Sequence, residues 1–243
     1  MLFLLLSAII ISYVSGNLFL KVLRKKNIIQ PIYEEAPTIH ALKSGTPTMG
    51  GITFILPIII LSVIYFLNDF SFETLSLFTV LIGSFLIGFQ DDFLKVTKKQ
   101  NDFGFTPKQK LILQFSTAFI SVGLLYVANF SSVISIFDFD VDFGIFYFIM
   151  MAVIMVGFSN ASNLTDGLDG LLTSVSIVIF STLFIISIYQ GEPIGLSIFI
   201  LIFTGLLIGF LLNNKFPAKM FMGDTGSLVI GALFTFLIII MKI

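Results

Sequence analysis

Eight apolar runs, at approximately residues 2–20, 51–68, 74–90, 111–130, 144–159, 168–189, 196–212 and 227–242, leave this chain few ways to fold. A helix of about 20 residues, rising 1.5 Å per residue, crosses the roughly 30 Å hydrocarbon layer and satisfies its own backbone groups there. Composition agrees, with 57% hydrophobic and 11% charged residues and a mean hydropathy of +1.07, whereas about a quarter of a soluble domain is charged. The expectation is an all-α, polytopic membrane protein with about eight transmembrane helices, forming one domain over residues 1–243, since every connection is shorter than about 35 residues. The first run reads as a span rather than a secretory signal, because no basic residue precedes it and "KVLRKK" follows it. Without cysteine, no disulfide framework or thiolate metal site is available.

The basic residues orient the chain. Lys21, Arg24, Lys25, Lys26 and Lys43 fall in the first connection, Lys95, Lys98, Lys99, Lys108 and Lys110 in the third, and Lys215 and Lys219 in the seventh, leaving only Lys242 of thirteen elsewhere. By the positive-inside rule these connections are cytoplasmic and the N-terminus lies outside. Asp69, Glu73, Asp138, Asp140, Asp142 and Glu192 then face the exterior, where acids in short loops are ordinarily solvated. The alternating "FDFDVDFG" is compatible with a short amphipathic strand or a calcium-attracting loop.

The cytoplasmic acids gather in "GFQDDFLKV" at the end of the third span, "NLTDGLDGL" at the start of the sixth and "MFMGDTGSL" at the start of the eighth. Carboxylates are costly at this depth unless paired, metal-bound or functional. Asp166 or Asp224 taken alone reads equally well as a helix cap. Asp91 and Asp92 fit that reading less well, since like charges at a helix C-terminus are disfavoured. Lys95 supplies a partner if the helix continues, and a divalent metal supplies the rest. The three-residue spacing of Asp166 and Asp169 suggests one helical face, although the whole row from Asn160 is too long for a single stripe. In "MGDTGSL" the glycines and hydroxyls at a helix start suggest a phosphate site. Oxygen ligands without Cys or His clusters favour magnesium or manganese.

Lys43, beside the small, polar "SGTPTMGG", and Lys108 and Lys110 in "TPKQK" add cations, although basic residues flanking spans are also what topology requires. The inventory fits phosphoryl transfer, which depends on positioning and charge neutralisation, on a lipid phosphate whose tail lies in the bilayer.

"IHALKSGTPTMGGITF", "GFQDDFLKV", "TPKQKLILQ", "SNASNLTDGLDGL" and "FPAKMFMGDTGSLVIG", in this order over about residues 34–231, resemble the successive signatures of the phospho-N-acetylmuramoyl-pentapeptide transferases. The resemblance implies a magnesium-dependent enzyme of the bacterial cytoplasmic membrane. Its partners would be UDP-MurNAc-pentapeptide and undecaprenyl phosphate, its products lipid I and UMP, and its active site would face the cytoplasm. It further implies Asp91, Asp92 and Asp224 as catalytic residues, with Asp224 the principal metal ligand, Asp92 a second, and Asp91 accepting the lipid phosphate's proton or positioning that phosphate. By the same resemblance Asn163, Asp166 and Asp169 line the nucleotide and metal side, Asn214 and Phe221 lie near the uridine, and Lys43, Thr48, Lys95 and Lys110 hold phosphate.

The family pattern has ten spans and a histidine-rich last cytoplasmic loop. Eight runs and the single His40, expected to be structural or solvated, give the expectation of a fragment lacking the last two family helices. A homodimer partner closing the site is the alternative for a naturally short chain. Three further readings stay open: a GlcNAc-1-phosphate transferase acting on the same lipid, an inactive truncated remnant, and a cation transporter. The clustering of acids at one surface argues against the last. No nucleic-acid partner is expected.

Overall fold

A computed structural model describes residues 1–25, 46–66, 71–98, 104–136 and 139–243. Among these residues, eight helices follow the eight apolar runs: α1 (Leu2–Lys25), α2 (Ile52–Phe66), α3 (Phe72–Lys98), α4 (Pro107–Val127), α5 (Ile145–Thr165), α6 (Leu171–Gln190), α7 (Ile194–Asn214) and α8 (Asp224–Met241). Seven are long and apolar enough to cross a membrane, and α2 is a shorter apolar helix of 15 described residues. The protein is thus a multi-pass, mostly helical membrane protein. Among the described residues, the departure from helix is a strand pair between α4 and α5. There β1 (Val133–Ile136) pairs antiparallel with β2 (Phe139–Asp142), in a register that sets Val133 opposite Asp142.

Lipid offers no hydrophobic drive between helices, so close packing of small residues has to hold them. On α1, Ala8, Ser12 and Gly16 recur at the four-residue helical spacing and are buried, while Phe3, Ile10 and Leu18 point outward. They meet Gly205 and Gly209 of α7, where any side chain would strike the α1 backbone. A Phe cluster fills the centre: Phe54 packs on Phe210 at 5.0 Å and Phe180 on Phe203 at 4.7 Å between ring centroids. The central helix is α8, which packs chiefly on α3 and α5. Of its most apolar 18-residue window 78% is buried, against 17% for α1. The N-terminal end of α8 packs against Gly88 of α3 and Gly51 at the start of α2.

Candidate active site

Asp91 and Asp92 do not end a helix as the sequence suggests. The third helix runs on to Lys98, which puts Lys95 one turn beyond Asp91, its Nζ 2.6 Å from Asp91 Oδ2. The continuation supplies the cation, because the four-residue spacing sets Lys95 on the same helical face as Asp91.

A second cation comes from α4. In "TPKQ" Thr106 is the N-cap: its side chain accepts the Gln109 N–H, the Gln109 side chain accepts the Thr106 N–H, and Pro107 follows at the first helical position. This capping box fixes where α4 starts, and with it Lys110, the helix's fourth residue. Lys110 Nζ lies 2.8 Å from Asp91 Oδ2 and 2.5 Å from Asp224 Oδ2, and Lys95 Nζ is 3.3 Å from Asp224 Oδ2. Two lysines thus bridge two carboxylates drawn from α3 and α8. Lys110, near the start of α4, is at the unfavourable pole of that helix, and the carboxylates of Asp91 and Asp224 offset it. Asp91 is fully buried, and its Oδ1 accepts the Phe105 N–H at 2.7 Å. Removing one partner from such a buried pair costs about 3–5 kcal/mol.

The start of α8 departs from the expected phosphate cradle. Its first N–H groups are already occupied by Asp92, whose Oδ1 accepts from Asp224 N at 3.2 Å and whose Oδ2 accepts from Thr225 N at 2.9 Å and the Thr225 hydroxyl at 2.6 Å. The anion at this helix N-terminus is the protein's own carboxylate. Gly223 makes the approach feasible: its φ of 74° lies in the left-handed region, and a Cβ there would collide with Asp92 Oδ2. Thr48 is buried beside the same glycine.

"NASNLTDGLDGL" is a helix end and a turn rather than a helix start. Asn160 and Asn163 lie on α5, Asp166 is its C-cap, and Asp169 sits in the turn before α6. Asp166 and Asp169 consequently do not share a helical face. Asn163 accepts a hydrogen bond from the Ser227 hydroxyl at 3.0 Å, three residues from Asp224, so the segment reaches the lysine bridge through α8. Asp169 Oδ2 accepts the Ala218 N–H at 3.0 Å. Asn214 is buried, its amide accepting from the Thr173 hydroxyl at 2.7 Å and donating to Met220 O at 3.0 Å. Both side chains hold the 215–222 connection. Phe221 joins that connection to the 46–51 segment through its backbone, its N–H on Pro47 O at 2.8 Å and its O accepting from Gly50 N at 2.9 Å. Among the described residues, the acids close enough to share an ion are Asp91, Asp92 and Asp224. Lys43 and His40 lie outside the described residues.

Sequence reasoning passed over two arrangements. The capping box of "TPKQ" was readable from its residue spacing. The Gln114–Asn160 pair, in which Asn160 Nδ2 donates to Gln114 Oε1 at 2.9 Å, joins α4 to α5 and carries no local signal.

The family described as glycosyl transferase family 4 matches residues 74–242, and phospho-N-acetylmuramoyl-pentapeptide-transferase signature 1 matches residues 43–55. Phospho-N-acetylmuramoyl-pentapeptide-transferase of Oceanobacillus iheyensis is 41% identical over 241 residues, covering 97% of this chain and 74% of that protein. The Staphylococcus saprophyticus protein of the same name is 45% identical over 93% of this chain and 72% of its own length. That of Bacillus subtilis is 40% identical over 100% of this chain and 75% of its own. The lysine-bridged carboxylates of α3 and α8 lie inside these matches, and the chain belongs to the phospho-N-acetylmuramoyl-pentapeptide transferase family.

Proposed function

We propose that the protein transfers phospho-N-acetylmuramoyl-pentapeptide from its UDP carrier to undecaprenyl phosphate at the cytoplasmic face of a bacterial inner membrane, giving lipid I and UMP. The observation that carries this reading is the bridge of Lys95 and Lys110 across Asp91 and Asp224 at a single helix-end cluster, within a chain of this family. An oxygen of the lipid phosphate forms a bond to the sugar-bearing phosphorus. The diphosphate linkage breaks, and its other half leaves as UMP. Asp91, buried against both ammonium groups, accepts the lipid phosphate's proton or fixes that phosphate. Lys95 and Lys110 exchange carboxylate oxygens for phosphate oxygens as substrate enters, so that charge is neutralised throughout.

Magnesium dependence belongs to the same reading. Asp91, Asp92 and Asp224 each offer one oxygen, all within 4.8 Å of one another. Three carboxylates against two lysines leave one excess negative charge. A hard divalent cation fits that charge and the oxygens of Asp91 and Asp224, while Asp92, which the family resemblance implies as a second ligand, has both its oxygens engaged by the first turn of α8. Asp224, the least buried of the three, would be its principal ligand, and when bound the ion would stabilise charge on the diphosphate. Thr48 and Lys43 are assigned to phosphate, Asn163, Asp166 and Asp169 to the nucleotide wall, and Asn214 and Phe221 to the uridine side. A homodimer is compatible with the reading.

The test supplies purified protein with undecaprenyl phosphate and either UDP-MurNAc-pentapeptide or UDP-N-acetylglucosamine, and measures UMP. Release only from the muramoyl substrate is expected. Consumption of UDP-N-acetylglucosamine alone would overturn the substrate assignment.

A further inference from the structure

Asp92 differs from the two carboxylates beside it. Asp91 and Asp224 face lysines, whereas Asp92 takes its three hydrogen bonds from the first turn of α8: Asp224 N–H, Thr225 N–H and the Thr225 hydroxyl. The first N–H groups of a helix have no acceptor within the helix, and an anion there is favoured by the helix dipole. Both residues are buried, Thr225 fully. The backbone of Asp224 also passes so close to Gly88 of α3 that any side chain at Gly88 would displace it. The start of α8 is therefore fixed to α3 at two points one turn apart.

We propose that Asp92 and Thr225 are positioning residues, a cap donated by α3 to α8 that sets the direction of the Asp224 carboxylate, and that Asp92 is neither metal ligand nor base. This rests on the reading of Asp224 as the group that meets the metal or the phosphate. Thr225, which carries no charge and is sealed from solvent, contributes to turnover only through Asp92.

Thr225→Val keeps the volume and removes the hydroxyl. It is expected to lower kcat about tenfold, the loss appropriate to one hydrogen bond to a charged group. The KM values for both substrates and the magnesium concentration for half-maximal rate should stay within about twofold of the unaltered protein. Thr225→Ser should recover most of the loss. In an Asp92→Asn background Thr225→Val should add little, because its partner is gone. Independently of activity, hydrogen exchange over residues 222–228 should quicken in Thr225→Val and in Asp92→Asn, with α1 and α7 unchanged.

A tenfold rise in the magnesium requirement of Asp92→Asn, with kcat of Thr225→Val unaltered, would make Asp92 a ligand and overturn the proposal. So would an equal Thr225→Val effect in both backgrounds. Failure of the unaltered protein to use the muramoyl substrate would sink the proposed function alone. The exchange measurement then decides by itself: unchanged exchange at 222–228 refutes the cap, and faster exchange sustains it.

Discussion

The protein carries aspartates at both ends of its helices, and the two sets are held in opposite ways. At the cytoplasmic end Asp91 and Asp92 are buried and Asp224 nearly so, and their partners are drawn from three helices: lysines of α3 and α4 and the backbone of α8. At the external end Asp140 and Asp142 are exposed and, among the described residues, bond within their own hairpin and its end, Asp140 to the Ser135 hydroxyl at 2.6 Å and Asp142 to the Ser132 hydroxyl and the Gly144 N–H. Water makes the second arrangement cheap and replaceable. Burial makes the first expensive unless every partner is present. A chain keeps such a cluster when the charges have work to do.

The comparison breaks most sharply at Asp224. Asp224→Asn keeps the shape and removes the charge that Lys95 and Lys110 share, and it should lower UMP release by about a thousandfold or more, the scale on which loss of a charge-stabilising group acts. Turnover within tenfold of the unaltered protein would show that the buried set is structural, like the external one.

Lys110 comes next. Lys110→Met leaves Asp91 and Asp224 with Lys95 alone, and should lower turnover by about a hundredfold and stability by about 3 kcal/mol. The two losses are separable: adding Asp91→Asn removes the uncompensated charge and should restore part of the thermal midpoint in detergent, with turnover still lost. Recovery of both together would mean that Lys110 serves only the fold.

Much of this was legible in the sequence, and the physical reason differs by element. The spans are written in the apolar runs because lipid imposes length and composition directly. That "QDDF" and "MGDTGS" share a membrane face followed from the lysines. Their contact did not, because Gly88 and Gly223 permit it through backbone approaches that no periodicity records. The phosphate cradle expected at "MGDTGS" failed for the same reason: free N–H groups are a property of an isolated helix, and Asp92 arrives from 132 residues away in the chain. "NLTDGLDGL" reads as the start of the sixth span, and it is the end of α5 and the turn that follows. Apolar residues continue through it, and only the left-handed Gly170, with φ 72°, marks where α6 begins.

Asn214 sharpens the comparison inside the buried set, where it stands for polar groups that hold the frame without charge. Asn214→Ala removes its bond to Met220 O in the 215–222 connection and its bond to the Thr173 hydroxyl of α6, and should cost about 2 kcal/mol, at about 1 kcal/mol for each. Turnover should fall several-fold through a raised KM for the nucleotide, as the connection bearing Phe221 loosens. Thr173→Val, which breaks only the far bond, should reproduce half of the stability loss and the same direction in KM. A raised KM for Asn214→Ala with none for Thr173→Val would assign Asn214 to the nucleotide itself.

The smallest effect belongs to the external hairpin. The Ser132 hydroxyl, and then the Gly144 N–H at 2.9 Å, hold the Asp142 carboxyl below its ordinary range. A depressed carboxyl stabilises the folded form above its unfolded value, near pH 4, and the contribution disappears as pH falls through the lower folded value. Acidification below pH 4 should therefore loosen β1 and β2, read as faster exchange at residues 133–142. At neutral pH Asp142→Asn should leave UMP release within about twofold of the unaltered protein, as an exposed substitution does. A larger loss would tie the external face to catalysis across the full thickness of the bilayer and end the contrast between the two sets, since an exposed carboxylate bonded only to its own hairpin has no other route to the lysine bridge.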